Sequence, residues 1–318
     1  MLAKLADLSK KTNKVFEKIM PVFSISGVVL GFLLPGVFIN YTFLVPWLVA
    51  FMTLTGALKL SARDIGKAAS TPVPILLFFL GSRIIMPFLV LILSRLIFRN
   101  NPDLVTGFVL LYSVPAAITS FIWVIIFKGD LALALALMLM DTMLAPVLVP
   151  GTMRLLLGAS VSINITGMVI TLLLMAVLPI ILGVTLNETS KGKIPAMLDP
   201  WLPPIAKFSI IPLIAISSSA ASSEVRFDNS DIWIAAIVCI FFGVSGFVIG
   251  KLMGFAGKLD KEKQIALIMT NGNKNNNASM TLGVMYFSVT VALPSILAIM
   301  FQHILAAVMG RILIRNKE

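Results

Sequence analysis

The chain has 318 residues, of which 58% are hydrophobic and only 12% charged, and its mean hydropathy is +1.02. Soluble domains carry roughly a quarter charged residues, so the composition excludes a soluble globular protein and predicts an all-α polytopic membrane protein. The net charge of +11 does not mark a nucleic-acid face, because the basic residues fall between apolar runs, where charge sets membrane topology. The single Cys239, inside an apolar run, excludes an intrachain disulfide and a multi-cysteine metal site and reads as a small buried hydrophobe.

Residues 1–20 hold Lys4, Lys10, Lys11, Lys14 and Lys18, with Leu2, Leu5, Leu8, Val15, Phe16 and Ile19 between them. This pattern predicts an amphipathic segment at the membrane interface. The apolar run that follows is long and shows no small-residue cleavage site, so a cleaved signal peptide is not expected. Ten spans follow, at roughly 21–39, 43–60, 72–94, 103–127, 130–152, 163–186, 204–223, 231–254, 263–287 and 290–313. One set of alternate connections carries Lys59, Arg63 and Lys67, then Lys128, then Lys191, Lys193 and Lys207, then Lys251, Lys258, Lys261 and Lys263. Arg311, Arg315 and Lys317 at the C-terminus belong with this set. The opposite set shows only Arg95, Arg99, Arg154 and Arg226. The positive-inside rule therefore places both termini in the cytoplasm, as an even number of spans requires, and the membrane expected is the plasma (inner) membrane.

Ten spans divide into two five-helix repeats, 21–157 and 158–318. An odd number of spans in each gives the halves opposite orientation, an inverted repeat. The fourth and ninth spans each contain a break. In the fourth it is Tyr112-Ser113-Val114-Pro115, followed by Thr119 and Ser120. In the ninth it is Thr270-Asn271-Gly272-Asn273-Lys274-Asn275-Asn276-Asn277-Ala278-Ser279, between apolar runs too short to cross a bilayer alone. Unpaired, such polarity at mid-membrane depth costs several kcal/mol. Its backbone must therefore line protein or a water-filled cavity, and a broken helix of this kind points to a transporter's binding site.

Several runs resemble the bile acid:sodium symporter family. Pro115-Ala116-Ala117-Ile118-Thr119-Ser120-Phe121 is similar to its Pro-Gly-Gly-Thr-Ala-Ser-Asn. Lys128-Gly129-Asp130-Leu131-Ala132-Leu133 and Leu144-Ala145-Pro146 are similar to its Gly-Asp/Asn-x-Ala-Leu and Leu-Ala-Pro. The ninth span resembles Glu-x-Gly-x-Gln-Asn-Ser, and Ser82 to Pro87 resembles the third-span Gln-x-x-x-Met-Pro. The likeness covers most of the chain in span pattern and these motifs in sequence. It implies a panel domain of spans 1, 2, 6 and 7 and a core domain of spans 3–5 and 8–10. In that fold the fourth and ninth spans cross at their breaks, and the two domains move relative to one another.

The departures from the pattern carry the functional expectation. Sodium needs hard oxygen ligands. At the positions where the resemblance puts them, this chain has Phe121 for Asn, Ala134 for Ser, Met138 for Thr, Thr270 for Glu, Lys274 for Gln and Ser82 for Gln, with only Ser120 kept. The first sodium site is expected to be abolished, and an ammonium group stands in the second. Lys274 has three readings: a built-in cation replacing the coupling ion, a proton-coupling group, or a side chain facing water or the carbonyls of the broken helix. Asp141 lies one helical turn beyond Met138 and is a candidate partner for Lys274. A fixed ion pair elsewhere in the core is the alternative. Arg83, beside Ser82, reads as a substrate-carboxylate ligand, a partner of Asp141, or a snorkelling or structural cation. His303, beside Gln302, reads as a pH switch or a neutral hydrogen-bonded histidine.

Substrate contacts are expected from Thr119, Ser120, Asn273, Asn275, Asn276 and Asn277, and the crossover itself from Pro115, Thr270, Asn271 and Gly272; the asparagine amides are equally open to satisfying the exposed backbone of the broken helix. Free N–H groups at the second half-helix, with Lys274 beside them, favour a small or amphipathic organic anion. No metal and no cofactor is expected, and the partners are that anion, membrane lipid and, in the proton-coupled alternative, a proton. Gly246, Gly250 and Gly254 form a small-residue ridge for packing within the chain or in a homodimer, which leaves monomer and homodimer both open. Ser217, Ser218, Ser219, Ser222 and Ser223 read as lining a passage or as small packing residues. A channel lacks its continuous polar stripe and an intramembrane enzyme its constellation of residues. ATP is excluded as the energy source in this chain by the absence of a P-loop, and an auxin-efflux-type carrier has different break motifs. The sequence thus predicts a secondary carrier or uniporter of an organic anion working by alternating access, sodium-independent through Lys274. The alternative is a proton-coupled carrier using Lys274 and Asp141.

Overall fold

The computed structural model of the protein describes residues 2–58, 60, 72–158, 164–222 and 230–314. Lys59, Arg63, Lys67, Ser223, Arg226, Arg315 and Lys317, used above for topology and for the serine cluster, lie outside these residues. Among the described residues every regular element is a helix. Seven are long and apolar enough to cross a bilayer: Pro35–Ala57, Pro72–Ile97, Leu131–Leu157, Ile165–Thr189, Leu202–Ala220, Ser230–Ala256 and Val289–Ile314. The chain is therefore a polytopic membrane protein.

The predicted fourth and ninth spans are each two helices. We label Pro102–Ser113 and Thr119–Ile126 α1 and α2, and Lys261–Gly272 and Asn276–Tyr286 α3 and α4. The N-terminal segment and the start of the first span form one continuous helix, Leu2–Leu33. That helix ends earlier than the expected 39, because Leu34 precedes Pro35 and is pushed out of the helical region, to φ −126 and ψ 50. Polar side chains start the helices where the chain turns. The carboxylate of Asp130 accepts from the Leu133 N–H at 2.9 Å, and Asp260 accepts likewise from Lys263 at 2.9 Å.

The chain divides into two compact units, one from Met1–Ala62 and Ile170–Ser223, the other from Arg63–Val169 and Glu224–Glu318. In the first unit, Gly31 lets the N-terminal helix approach Ile210–Ala221 so closely that a Cβ would lie 2.4 Å from the Ala215 carbonyl oxygen and 2.8 Å from Ser218. Ser217, Ser218 and Ser219 are buried there, so in this unit they serve as small packing residues. Lys207 Nζ donates to Asn13 Oδ1 at 2.7 Å, and the Ser9 hydroxyl donates to the Pro200 carbonyl, which ties the start of the chain to the loop before 202.

In the second unit the glycine ridge of Ser230–Ala256 faces α3. A Cβ at Gly250 would lie 2.7 Å from the Leu267 carbonyl oxygen, and one at Gly246 would lie 3.1 Å from that of Asn271. The ridge is thus used for close packing inside this unit. The close approach places α3, and the break that follows it, against buried Phe247.

Candidate functional site at the helix crossover

The two broken helices meet at their gaps, residues 114–118 and 273–275. Pro115 has no N–H to continue the helical ladder and forces Val114 into an extended conformation, φ −73 and ψ 159. In the ninth span, Thr270, Asn271 and Asn273 turn their side chains back onto the carbonyls of Ala266, Leu267 and Met269, at 2.7, 3.0 and 2.9 Å. Such bonds compete with continued helix. Gly272 is required at its place, since a Cβ would come within 2.2 Å of the Phe247 ring.

Each gap satisfies the backbone of the other. Ala116 and Lys274 form an antiparallel bridge. The Ala117 N–H donates to the Asn273 carbonyl at 2.9 Å, and the Asn275 N–H donates to the Pro115 carbonyl at 2.8 Å. Beyond the gaps, α2 and α4 begin at the crossover where α1 and α3 end, so two positive and two negative helix-dipole ends meet there. The Asn275 side chain caps α4 by accepting from the Ala278 N–H at 3.2 Å.

The third span brings the charges. Its helix is interrupted by a π-turn at Leu80–Ile85, which presents consecutive Ser82 and Arg83 to the crossover. Lys274 Nζ donates to Ser82 Oγ at 2.5 Å. Arg83 Nε donates to Asp141 Oδ1 at 2.6 Å, its Nη2 lies against the same oxygen, and its Nη1 donates to the Ser113 carbonyl at the end of α1. The other carboxylate oxygen, Asp141 Oδ2, accepts from the Ala116 N–H at 2.8 Å. The contacts close a ring, from Lys274 through Ser82, Arg83, Asp141 and Ala116 back to Lys274. All its side chains are buried. Asp141 is thus the partner of Arg83, not of Lys274, and Arg83 is held inside the unit rather than snorkelling to an edge.

Where the resemblance places the first sodium ion, the side chains pack on one another. Ala134 and Met138 belong to a buried apolar cluster against which Phe121 packs, and Ser120 Oγ donates to the Ala117 carbonyl at 2.6 Å and lies 3.2 Å from Met138 Sδ. Ser120 and Asn273 are fully buried, whereas Thr119, Asn275 and Asn277 are partly exposed. Gln302, rather than its neighbour His303, reaches the crossover. Its Oε1 accepts from Asn276 Nδ2 at 2.8 Å, and its Nε2 donates to the Lys274 carbonyl at 3.3 Å and to Thr119 Oγ1 at 3.4 Å. With Tyr112, Phe247, Lys274, Asn276 and Phe301 it lines a small recess of about 20 Å³, room for about one water. The signal for Gln302 was available, as a lone amide in the apolar run Ile299 to Ala306, but the ionisable histidine beside it drew the reading.

The chain matches the sodium bile acid symporter family over residues 46–226, more than half of its length. It belongs to that family. Among its relatives is a Bacillus subtilis (strain 168) protein, "Uncharacterized protein YbaS", 35% identical over 298 residues, or 93% of this chain and 97% of that one. "Uncharacterized sodium-dependent transporter YocS" of the same organism is 24% identical over 292 residues, covering 91% of this chain and 88% of that one. "Probable sodium/metabolite cotransporter BASS1, chloroplastic" of Arabidopsis thaliana is 23% identical over 297 residues, covering 92% and 72%. Within a family named for sodium symport, the crossover of this member holds the Lys274 side-chain nitrogen on Ser82.

Proposed function

We propose that the protein is a secondary carrier that moves a small or amphipathic organic anion across the plasma (inner) membrane by alternating access, without sodium. Lys274 serves as a covalently attached substitute for the coupling cation. The observation that carries this reading is the Lys274 Nζ–Ser82 Oγ bond, which joins the ninth span to the third at the two positions where the resemblance puts amide ligands of the second sodium ion. The apolar packing of Ala134, Met138 and Phe121 supports the loss of the first ion. The engagement of Asp141 with Arg83 removes the carboxylate that a Lys274–Asp141 proton exchange would use, and so favours the built-in cation over proton coupling.

The two broken helices and the N-terminal helix, added to the seven long apolar ones, support ten spans. The two compact units support a panel of spans 1, 2, 6 and 7 and a core of spans 3–5 and 8–10. The basic connections support a cytoplasmic position for both termini. Relatives named as sodium/metabolite cotransporters and as a sodium-dependent transporter support transport of a metabolite, with the energy source changed in this member.

The test is thermal unfolding of the purified protein with and without sodium chloride, at constant ionic strength, for the unaltered chain and for Lys274→Gln. A ligand that binds the folded state raises stability with occupancy. The unaltered protein should ignore sodium, while Lys274→Gln should lose stability and recover part of it when sodium is added. Strong stabilisation of the unaltered protein by sodium would defeat the reading.

A further inference from the structure

A covalent cation differs from a bound one in a way that bears on the transport cycle. Among the described residues the buried charged side chains are Arg83, Asp141 and Lys274. Arg83 and Asp141 neutralise each other through the paired contacts of Nε and Nη2. Lys274 donates instead to the neutral hydroxyl of Ser82. With Lys274 protonated, as the built-in-cation reading has it, the buried charge of this unit is one positive. In a symporter the coupling ion leaves its site, and the empty carrier returns without that charge; an ammonium group on a lysine stays. Carrying an unbalanced charge through a low-dielectric barrier is costly. On the proposed function, an anion carried at the crossover stands beside the charge and cancels it.

We infer that the protein is an organic-anion exchanger: its core crosses readily only with an anion bound, so each anion moved one way is followed by another moved back. This rests on the reading of Lys274 as a permanent cation given above. The loaded core is neutral and the empty core carries the lysine charge, so net one-way transport is the slow mode and exchange the fast one.

The experiment follows the empty core, so it does not depend on knowing the substrate. Ile118 lies in the gap of the fourth span and is 48% exposed, while Cys239 is buried. A protein carrying Cys239→Ala and Ile118→Cys is reconstituted into liposomes free of sodium and organic anions, and a membrane-impermeant maleimide is added outside. Labelling should stop at the fraction of molecules whose gap faces outwards, with any second phase at least about tenfold slower than in the same protein carrying Lys274→Gln, which should label to completion. A potassium diffusion potential of about 100 mV should shift the inward–outward ratio by up to about 50-fold for one full charge, and should leave the Lys274→Gln protein unmoved. A mixture of taurocholate, succinate and lactate on both sides is expected to release the second phase.

Complete and rapid labelling of the lysine-containing protein would overturn exchange, as would the same plateau with and without Lys274. A second phase that accelerates from pH 6 to pH 9 only when Lys274 is present would also overturn it, because the lysine would then shed its proton for the empty return. Sodium stabilisation of the unaltered protein would defeat the built-in-cation reading itself. Sodium-blind unfolding together with complete labelling would defeat exchange alone.

Discussion

The Arg83–Asp141 pair gives the sharpest test of how the crossover is held. Arg83→Gln leaves the Asp141 carboxylate buried with only the Ala116 N–H to satisfy it. Asp141→Asn leaves the guanidinium facing an amide and the Ser113 carbonyl. Breaking one side of a buried pair costs about 3–5 kcal/mol. At about 2 °C per kcal/mol, the low end for large domains, either single change should lower the unfolding midpoint by about 6–10 °C. The double change Arg83→Gln with Asp141→Asn removes both charges but keeps a donor for the Ser113 carbonyl and an acceptor for the Ala116 N–H. It forfeits only hydrogen-bond quality, worth about 1–3 kcal/mol, so the midpoint should fall by about 2–6 °C. The double variant should therefore be more stable than at least the weaker single one. Midpoints are read by intrinsic fluorescence in detergent at fixed pH and salt. If the double variant falls by the sum of the two single losses, or if both singles stay within about 2 °C of the unaltered protein, the pair does not hold the gap of the fourth span.

Gly250→Val should destabilise by about 1–3 kcal/mol through overpacking, because a Cβ there meets the Leu267 carbonyl oxygen at 2.7 Å; the loss shows in the same unfolding assay, and an unchanged midpoint would mean the two helices can separate freely. Gln302→Leu removes the bonds to Asn276, Thr119 and the Lys274 carbonyl. Interhelical hydrogen bonds in membranes are worth about 0.6–1.7 kcal/mol, so the midpoint should drop by about 1–3 °C, with backbone hydrogen exchange around 116–120 and 273–277 faster. The Asp260 carboxyl lies below its ordinary range, chiefly through the hydrogen bond from the Lys263 side chain and then that from the Lys263 backbone N–H. Its capping contribution is therefore full above the unfolded value of about 3.9 and lost as the pH falls through the lower folded one. Asp260→Ala should lose stability equally at pH 8 and pH 6, and a difference between those two values would assign the effect to another group.

Much of the architecture is legible in sequence because lipid leaves few choices. Apolar runs must be helical, and a polar or proline-centred interruption must be covered by protein. The breaks at Pro115 and at Thr270–Asn277 follow from that alone. What does not follow is the rotation of one buried helix against another. Asp141 and Lys274 were plausible partners by helical spacing, yet the π-turn at Leu80–Ile85 inserts a residue into the third span and swings both Ser82 and Arg83 toward the crossover. No residue pattern in Leu-Gly-Ser-Arg-Ile-Ile announces a π-turn, so the choice between Arg83 and Lys274 as the partner of Asp141 was open until the side chains were placed. The asparagines were open to two uses, satisfying the broken helix or meeting a substrate, and two of them, Asn271 and Asn273, are used up by the backbone of α3.

On the proposed reading, that use of polar groups constrains how an anion would be held. Thr270, Asn271 and Asn273 are turned onto carbonyls of their own helix, and Arg83 and Asp141 are turned onto each other and onto the gap of the fourth span. The partly exposed polar side chains around the crossover, Thr119, Asn275, Asn277 and Gln302, are uncharged. Lys274, 3% exposed and bonded to Ser82, acts on an anion as a neighbouring charge rather than as a ligand that folds around it. It would supply the positive charge, while amides and hydroxyls would supply the contacts. Such a site selects for charge sign strongly and for carboxylate geometry weakly. On the proposed reading, shape selection among organic anions then falls to the walls of the passage rather than to the crossover.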